Sequence, residues 1–356
     1  MVSGPRTWIS RLGNAMPGRA LAQGAIADWM EPRLADGADR RRFRRFSDRM
    51  GISVRHSVLD LFGDEGDEFY PRSGPGADAT ARSRAFGRYA LPLALAAVER
   101  ACPGRVGLDG ITHLVVATCT GAVAPGLDVQ LARALGLSPR IKRTVVGFMG
   151  CYAAIPALRA AWEACRADPT ARALVVCCEL SSLHFQPGPT VDDLLGACLF
   201  ADGAAAAIVE SGDAPVGLGL AITAQESLLV PDSDELMAWQ AGPRGFLLRL
   251  SPEVAPRLTA SIEELVANLL GERPAARWCI HPGGPKVIDA MQERLHLDDA
   301  LVAGSRAVLA NGGNRSSATV LAILAGEMDE AWTGCAPLIA FGPGLTADAL
   351  LVERVR

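Results

Sequence analysis

The sequence predicts an α/β fold, because short apolar strands alternate with helical segments along most of the chain. The run 111–117 is apolar and of strand length, and a glycine-rich turn and a segment of helical spacing follow it. The run 145–149 has a similar composition, and we predict a buried strand there. Of the 356 residues 49% are apolar, which is enough for one large core or two of medium size.

A weak internal repeat predicts two similar halves. A strand, a glycine turn and a helix follow one another over 111–135, and the same order recurs over 277–295. We therefore divide the chain into an N-terminal half, residues 1–210, and a C-terminal half, residues 211–356. Within the first half, the segment Gly63 to Ala79 is rich in Asp, Glu, Gly and Pro, and we predict a surface loop there.

The composition argues against several classes of protein. The net charge is −4, so no global basic surface predicts binding to nucleic acid. There is no run of about 18 apolar residues that would predict a membrane span, and Met1 to Arg19 lack the apolar centre of a signal peptide. The nine cysteines are scattered without the paired spacing of a metal site, so we expect a reduced, cytoplasmic protein with no metal.

Cys151 is the residue that points most directly to chemistry. It follows Gly150 at the predicted turn between the strand 145–149 and a helix that begins near Ala153. The N–H groups at a helix N-terminus favour negative charge, so they favour the thiolate form, which is the nucleophile. Free cysteine is often buried and merely structural, but two later segments supply the other groups that a nucleophile needs.

These two segments, both flanked by glycine, offer a base and an oxyanion donor. His281 ends a short apolar strand and precedes the turn Pro282-Gly283-Gly284. Asn314 lies in a glycine loop ahead of another apolar helix, with Asn311 as the alternative amide. A cysteine, a histidine and an asparagine at the tips of three elements can together supply a thiolate, a base and an oxyanion donor.

Seven blocks, in order over nearly the whole chain, resemble the type III polyketide synthases, the chalcone- and stilbene-synthase-like branch of the thiolase superfamily. The blocks are 111–116, Cys119-Thr120-Gly121 with Pro125-Gly126, Gly150-Cys151, 199–204, 281–285, 313–317 and 341–346. The resemblance implies a thiolase-like five-layered αβαβα fold made of two similar halves. It also implies a homodimer.

The activity implied by this resemblance is that of an acyltransferase. Such an enzyme joins an acyl-CoA starter to several malonyl-CoA units by decarboxylative Claisen condensation, then cyclises the product to a pyrone or a phenolic ring, without a further cofactor. The resemblance makes Cys151 the nucleophile, held as a thiolate beside an imidazolium near neutral pH. It gives His281 and Asn314 the task of stabilising the enolate oxygen of malonyl-CoA.

Six arginines crowd the segment Asp39 to Arg49, a pattern that is typical of a solvated helix face. Arg42, Arg45 and Arg49, however, recur at helical spacing on one face. They match the positions at which the family binds the phosphates of coenzyme A, and guanidinium groups suit phosphate oxygens. The resemblance therefore implies the same role here. It adds two glycines to this predicted CoA-binding set, Gly283 and Gly284.

The resemblance also implies which residues line the reaction cavity. Phe200 corresponds to a gatekeeping aromatic residue above Cys151. Cys119, followed by Thr120 and Gly121, resembles the second cavity cysteine of bacterial tetrahydroxynaphthalene synthases. The other predicted cavity residues are Ser181, His184, Leu248, Ser316, Pro343 and Ala124.

Three of these residues depart from the plant pattern. His184 replaces a cavity threonine, and we expect it to reshape the starter pocket or to add a hydrogen-bond donor to it. Ala124 replaces the methionine that reaches across the dimer, and Leu248 replaces a second gatekeeping phenylalanine. Together the changes argue against an aromatic starter and favour an aliphatic acyl chain.

Other functions share part of this pattern. A 3-oxoacyl-ACP synthase III-like enzyme of fatty-acid initiation has the same Cys-His-Asn set, extends its substrate once and accepts an acyl carrier protein as donor. A tetrahydroxynaphthalene-synthase-like enzyme uses malonyl-CoA only. A papain-like hydrolase also uses Cys, His and Asn, but its Cys-Gly-Ser-Cys-Trp neighbourhood is absent. A non-catalytic interaction protein is disfavoured, because all three catalytic residue types are retained.

Overall fold

The structure is a computed structural model that describes residues 6–188, 190–213 and 217–355. Its α-helices are α1 Gln23–Met30, α2 Gly37–Arg49, α3 Asp64–Phe69, α4 Ala79–Ala101, α5 Leu127–Ala134, α6 Ala154–Ala167, α7 Val191–Leu199, α8 Val254–Leu270, α9 Pro285–Arg294, α10 Asp299–Gly312 and α11 Ala318–Glu327. Short 3₁₀ turns lie at Glu31–Arg33, Pro103–Arg105, Gly150–Tyr152 and Ser181–His184.

Most of the strands form one large mixed sheet. The strands are β1 Arg6–Ala15, β2 Ala20–Ala22, β3 Val54–His56, β4 His113–Thr118, β5 Lys142–Gly147, β6 Arg172–Leu180, β7 Asp202–Gly212, β8 Leu220–Leu229, β9 Met237–Gly242, β10 Gly245–Leu250, β11 Cys279–Ile280, β12 Gly334–Gly342 and β13 Thr346–Arg354. Nine of them pair in the order β11-β12-β13-β8-β1-β7-β6-β4-β5. The strands β9 and β10 form a separate two-stranded ribbon, and β2 pairs with β3.

The two halves of the large sheet meet at β1, its central strand. This strand pairs antiparallel with β7 from Arg6 opposite Gly212 to Ala15 opposite Ala204. Its pairing with β8 is limited to Trp8 with Ala221 and Ile9 with Leu220. The strand β7 ends at Gly212, so the junction that we place near residue 211 lies at the end of this strand.

Both faces of the sheet are buried, which creates the layers of the fold. Along β6, the side chains of Val175 and Cys177 join the core around α6 and α11, whereas Leu174 and Cys178 join the core of the outer helices. The helices α6 and α11 contact strands from both ends of the sheet and so form the central layer. The helix α4 covers β1, β6 and β7 from outside, and α8 covers β8 and β13.

Two local expectations are wrong. The strand predicted to be buried over 145–149 is β5, which lies at the edge of the sheet and leaves Val145 and the following Phe148 each 53% exposed. The predicted loop from Gly63 to Ala79 contains the helix α3, whose first turn carries three acidic residues that favour a helix N-terminus. Among the described residues, no helix is both long and apolar enough to span a membrane.

Candidate active site

Cys151 lies in the turn that leads from the edge strand β5 into α6, as predicted. The 3₁₀ turn Gly150–Tyr152 directly precedes α6, so the sulfur is close to the N-terminus of an apolar helix. Gly150 has a φ of +81°, and a Cβ there would lie 2.5 Å from Cδ of Pro343. Phe148 has a φ of +57°, which is uncommon for an aromatic residue. Strain of this kind often marks a functional turn.

His281 lies at the end of β11, with its backbone held and its ring free. Its N–H donates to the carbonyl of Ile339 at 2.8 Å, and the preceding Ile280 N–H donates to the hydroxyl of Ser305 at 3.0 Å. The side chain is buried, yet neither ring nitrogen has a hydrogen-bond partner among the described residues. Buried polar groups are nearly always satisfied, so an open imidazole at a cavity wall is typical of a catalytic group.

Asn314 brings its amide to the sulfur of Cys151 from the opposite half of the chain. Its backbone pairs with the segment around Phe200, through bonds to Leu199 and Ala201 of 3.0 and 2.8 Å. The Oδ1 atom accepts the N–H of Ser316 at 2.8 Å, which orients the amide. Nδ2 then lies 3.9 Å from Sγ of Cys151 and can donate to an oxygen bound there. The alternative, Asn311, is exposed near the end of α10.

Burial in the resting structure opposes the thiolate–imidazolium pair that the sequence predicts. Burial raises the pKa of the Cys151 thiol to about 12, although Ser316 and Asn314 act to lower it. Burial lowers the pKa of His281 to about 3. Burial therefore favours the neutral form of each group when no substrate is bound. Transfer of the proton from Sγ to the imidazole would leave the net charge of the site unchanged. When substrate binds, the thiolate and the imidazolium can therefore form together, without the free-energy cost of burying a single unpaired charge.

The three residues open into one cavity with a volume of about 440 Å³. This size is typical of a small-molecule site. Of the predicted cavity residues, the following line it: Phe200, Cys119, Ser181, Leu248, Ser316 and Pro343. Gly283 and Gly284 of the predicted CoA-binding set line it as well.

Two predicted cavity residues do not line it. His184 is buried behind the wall, where its Nε2 lies 2.8 Å from the carbonyl of Thr120 and its Nδ1 accepts the N–H of Phe246 at 3.3 Å. Because both nitrogens are used by the backbone, the donor that we expected His184 to add to the pocket is not available to a ligand. Ala124 is exposed, away from the cavity of its own chain.

The arginines of α2 divide between two places. Arg49 lies at the mouth of the cavity, together with Lys286 from the first turn of α9. Arg45 borders a separate shallow groove, along with Arg41. Arg42 lies 3.5 Å from the carboxylate of Asp39 and lines neither space. Only one of the three predicted residues therefore reaches the cavity in this structure.

Sequence reasoning missed a large part of the cavity wall. The missed residues include Thr120, Met237, Trp239, Lys286, Val254 and Leu258. Lys286 could have been found, since it follows a Gly-Gly-Pro turn at a predicted helix N-terminus. The apolar residues of the ribbon and of α8 carry no such signal, because the same pattern is typical of any core.

Cys119 and Thr120 form one side of the cavity, here called the cavity floor, and the buried side chain of Glu179 binds it from outside the cavity. Its Oε2 accepts the N–H of Cys119 at 3.0 Å and the hydroxyl of Thr120 at 2.8 Å, and its Oε1 accepts the hydroxyl of Ser317 at 2.5 Å. Burial raises the pKa of this carboxyl to about 7, against the lowering effect of these bonds. The carboxyl therefore links the second cavity cysteine, Cys119, to the loop of Asn314, and its pKa lies close to neutral pH.

We expect Glu179→Gln to change how stability depends on pH. The unfolded chain loses this proton near the ordinary pKa of 4.5, whereas the folded protein keeps it until about 7. Over that interval the folded state binds more protons, so the contribution of Glu179 to stability falls as pH rises. Urea unfolding at several pH values should show the wild type losing about 1–3 kcal/mol relative to the variant across this window. Parallel profiles would contradict the assignment, and Glu163→Gln, at an exposed position of α6, is the control.

Comparison with known proteins gives matches over nearly the whole chain. The model described as chalcone and stilbene synthases, N-terminal domain, matches residues 2–213, and the corresponding C-terminal domain matches 220–356. The alpha-pyrone synthesis polyketide synthase-like Pks18 of Mycobacterium tuberculosis is 32% identical, over 98% of this chain and 91% of the relative. The 1,3,6,8-tetrahydroxynaphthalene synthase of Streptomyces peucetius is 30% identical, over 98% of this chain and 93% of that relative. The C-terminal type III polyketide synthase domain of Steely1 from Dictyostelium superposes with a TM-score of 0.90 at 26% identity, over 99% of this chain and 100% of that domain.

Proposed function

Because the chain belongs to the chalcone and stilbene synthase family of type III polyketide synthases, we propose that it condenses an aliphatic acyl-CoA starter with several malonyl-CoA units. The family membership and the thiolase-like α/β fold, both expected from the sequence, are confirmed. The chain is accordingly an acyltransferase, and its family uses coenzyme A thioesters as substrates.

The observation that carries the proposal is the convergence of three side chains on one apolar cavity. Cys151 presents a sulfur at a helix N-terminus, His281 presents two open ring nitrogens and Asn314 presents an oriented amide. A nucleophile, a base and a hydrogen-bond donor are the groups that acyl transfer through a covalent thioester needs. Each comes from a different element, so all depend on the folded chain.

The reaction that we propose begins with a thioester exchange. Sγ of Cys151 attacks the carbonyl carbon of the starter while its proton passes to His281, and coenzyme A leaves with that proton as the free thiol. Malonyl-CoA then loses carbon dioxide. His281 and Nδ2 of Asn314 donate hydrogen bonds to the enolate oxygen that forms. The enolate carbon attacks the acyl group on Cys151, which leaves the chain, longer by two carbons, on coenzyme A and releases the sulfur as a thiolate; a proton from water restores the thiol.

Repetition of these steps gives a poly-β-keto chain that closes to a pyrone or a phenolic ring. Loss of carbon dioxide from malonyl-CoA leaves the electron pair of the broken bond on the adjacent carbon as the enolate, so no redox change and no cofactor besides the thioesters are required. The name of the mycobacterial relative, an alpha-pyrone synthesis enzyme, supports lactone closure. The name of the Streptomyces relative, a tetrahydroxynaphthalene synthase, supports the alternative in which malonyl-CoA also serves as starter.

An aliphatic starter is favoured by the wall of the cavity. Beyond the reacting groups, one side of the wall is formed by apolar, non-aromatic side chains of α7, the β9–β10 ribbon and α8, namely Val191, Leu195, Met237, Leu250, Val254 and Leu258, and the aromatic Phe46, Trp239 and Phe341 also line the cavity. Such a surface stabilises an acyl chain through burial, by about 0.8 kcal/mol for each methylene. No charged side chain lies among these six.

We also propose a homodimer in the cytoplasm. The edge strand β5 exposes Val145, and the adjacent Phe148 projects from a strained backbone, each 53% exposed. An exposed strand edge with apolar side chains favours pairing with a second chain. The nine cysteines are all unpaired, which supports a reducing compartment.

We expect Arg49→Ala to raise the KM for acyl-CoA by about tenfold with little change in kcat. Arg49 lies at the mouth of the cavity, where it can contact the phosphates of coenzyme A, and losing one charge-assisted contact costs about 1.5 kcal/mol. Acyl-pantetheine has no nucleotide, so its KM should not change. A rise in KM for both substrates would contradict the role. Arg41→Ala, on the same helix but outside the cavity, is the matched control.

The proposed function is tested by incubation with malonyl-CoA and a panel of acyl-CoA starters, with products identified by mass spectrometry. We expect pyrones or phenolic products that contain one aliphatic starter and at least two malonyl-derived units. A single extension, or activity only with malonyl groups on a carrier protein, would support the fatty-acid initiation enzyme instead. Products without any added starter would support the tetrahydroxynaphthalene-synthase alternative.

A further inference from the structure

The outer wall of the cavity is a ribbon outside the main sheet, joined to the β12–β13 turn by the N–H of Gly344, which donates to the carbonyl of Met237 at 3.4 Å. The strands β9 and β10 pair only with each other, from Gly242 opposite Gly245 to Met237 opposite Leu250. The alternate side chains of both strands face the cavity: Met237 and Trp239 from one, Leu248 and Leu250 from the other. The position of this ribbon therefore decides how much room an acyl chain has.

One histidine joins the ribbon to the cavity floor. The backbone N–H of Phe246 donates to Nδ1 of His184 at 3.3 Å, so Nδ1 accepts and the ring proton is on Nε2. Nε2 then donates to the carbonyl of Thr120 at 2.8 Å. The imidazole thus bridges two backbone segments, one in the ribbon and one beside the nucleophile.

Aromatic packing and a direct hydrogen bond support the same attachment. The ring of Phe246 lies 4.6 Å from the imidazole of His184, and that of Trp239 lies 6.3 Å from it. Trp239 also donates its indole N–H to the carbonyl of Cys119 at 3.0 Å. Gly245 has a φ of +98°, and a Cβ there would lie 2.8 Å from Nδ1 of His184. The ribbon can approach the imidazole this closely only with glycine at that position.

The cavity floor to which the ribbon is fastened is itself rigid. Cys119 and Thr120 are both bound to the buried carboxylate of Glu179, and the sulfur of Cys119 accepts the N–H of Gly150 at 3.0 Å. A two-stranded ribbon is only marginally stable by itself. His184 therefore attaches such a ribbon to the segment Cys119–Thr120, which also holds the turn that contains Cys151.

We propose that His184 is a positioning residue that sets the selectivity for the acyl starter, by fastening the β9–β10 ribbon over the cavity. That the ligand is an acyl-CoA starter rests on the proposed function. The new point is that the attachment of the ribbon limits the length of the acyl chain that the cavity accepts. His184 does not touch the substrate. Instead, His184 determines how far the ribbon residues Trp239 and Leu248 and their neighbours lie from the cavity floor.

The test combines two measurements on His184→Ala. Deuterium exchange over 237–250 should increase, because the ribbon loses one of its two attachments to the cavity floor. The Trp239 bond to Cys119 remains, as do the bonds at the turn of the ribbon, where Ala79 N–H and Gln186 donate to Pro243 and Arg244. The ratio of kcat/KM for dodecanoyl-CoA over hexanoyl-CoA should rise by about tenfold, the effect of one buried hydrogen bond. His113→Ala, at the beginning of β4, should change neither quantity.

Two further variants keep the test sharp if His184→Ala folds poorly. His184→Gln retains a side-chain donor for the Thr120 carbonyl. Trp239→Phe retains an aromatic ring but removes the bond to Cys119 and part of the ring that lines the cavity. We expect both to give selectivity ratios between those of the wild type and His184→Ala. Unchanged exchange over 237–250, or unchanged selectivity with increased exchange, would overturn the proposal. A wild type in which acyl-CoA never loads Cys151 would overturn the proposed function and this selectivity role with it, whatever the exchange shows.

Discussion

Cys151→Ala is expected to abolish product formation and acyl-enzyme formation while leaving a residual decarboxylation of malonyl-CoA. In the proposed reaction the sulfur at the N-terminus of α6 forms the covalent bond to the acyl group, so its removal leaves that step without its nucleophile. His281 and Asn314 remain in place, so they can still stabilise the enolate. Intact-protein mass spectrometry with acyl-CoA, and release of labelled carbon dioxide from malonyl-CoA, measure the two steps separately.

The second sulfur of the cavity provides the control for this variant. Cys119 also lines the cavity, but it is buried whereas Cys151 is partly exposed, and its sulfur accepts the N–H of Gly150 at 3.0 Å. Cys119→Ala should therefore still form the acyl-enzyme. An adduct on the Cys151→Ala protein, or its loss from the Cys119→Ala protein alone, would assign the nucleophile to Cys119.

Asn314→Ala is expected to lower the rate of malonyl-CoA decarboxylation by about 10²–10³-fold. Its Nδ2 lies 3.9 Å from Sγ of Cys151, and loss of one oxyanion donor from a preorganised site typically costs that much. Loading of Cys151 from a starter should survive, because the nucleophile and His281 are unchanged. Rates of labelled carbon dioxide release, with acyl-enzyme measured in parallel, separate the two effects.

Asn311→Ala is the matched control for the amide. Asn311 is three residues earlier and exposed, so its removal should leave decarboxylation at the wild-type rate. Equal losses in the two variants would indicate a general disturbance of the loop. A loss in Asn311→Ala alone would move the oxyanion donor to that residue.

The sequence predicted the parts of the site that local rules determine. Gly150 and Cys151 belong to a strand-to-helix turn that is visible from composition, and the structure places the sulfur there. His281 and Asn314 are likewise marked by flanking glycines and by the ordered motifs of a family. These positions could be predicted because each depends on only a few neighbouring residues.

The residues that sequence reasoning misplaced depend on distant contacts. His184 was expected in the cavity, but its position is decided by the carbonyl of Thr120 and the N–H of Phe246, each more than sixty residues away in the chain. The strand β5 was expected to be buried, since an apolar run has the same composition in a core and at an exposed edge. The charge states of Cys151 and His281 depend on burial, which composition does not provide.

The most direct test of the central claim is to map where a starter becomes attached in the wild-type protein. After brief incubation with an aliphatic acyl-CoA and no malonyl-CoA, proteolysis and mass spectrometry should locate one acyl group on the peptide that contains Cys151. Addition of malonyl-CoA should then remove that adduct as product forms. An acyl group on any other residue, or one that malonyl-CoA does not discharge, would contradict the claim that this sulfur carries the growing chain.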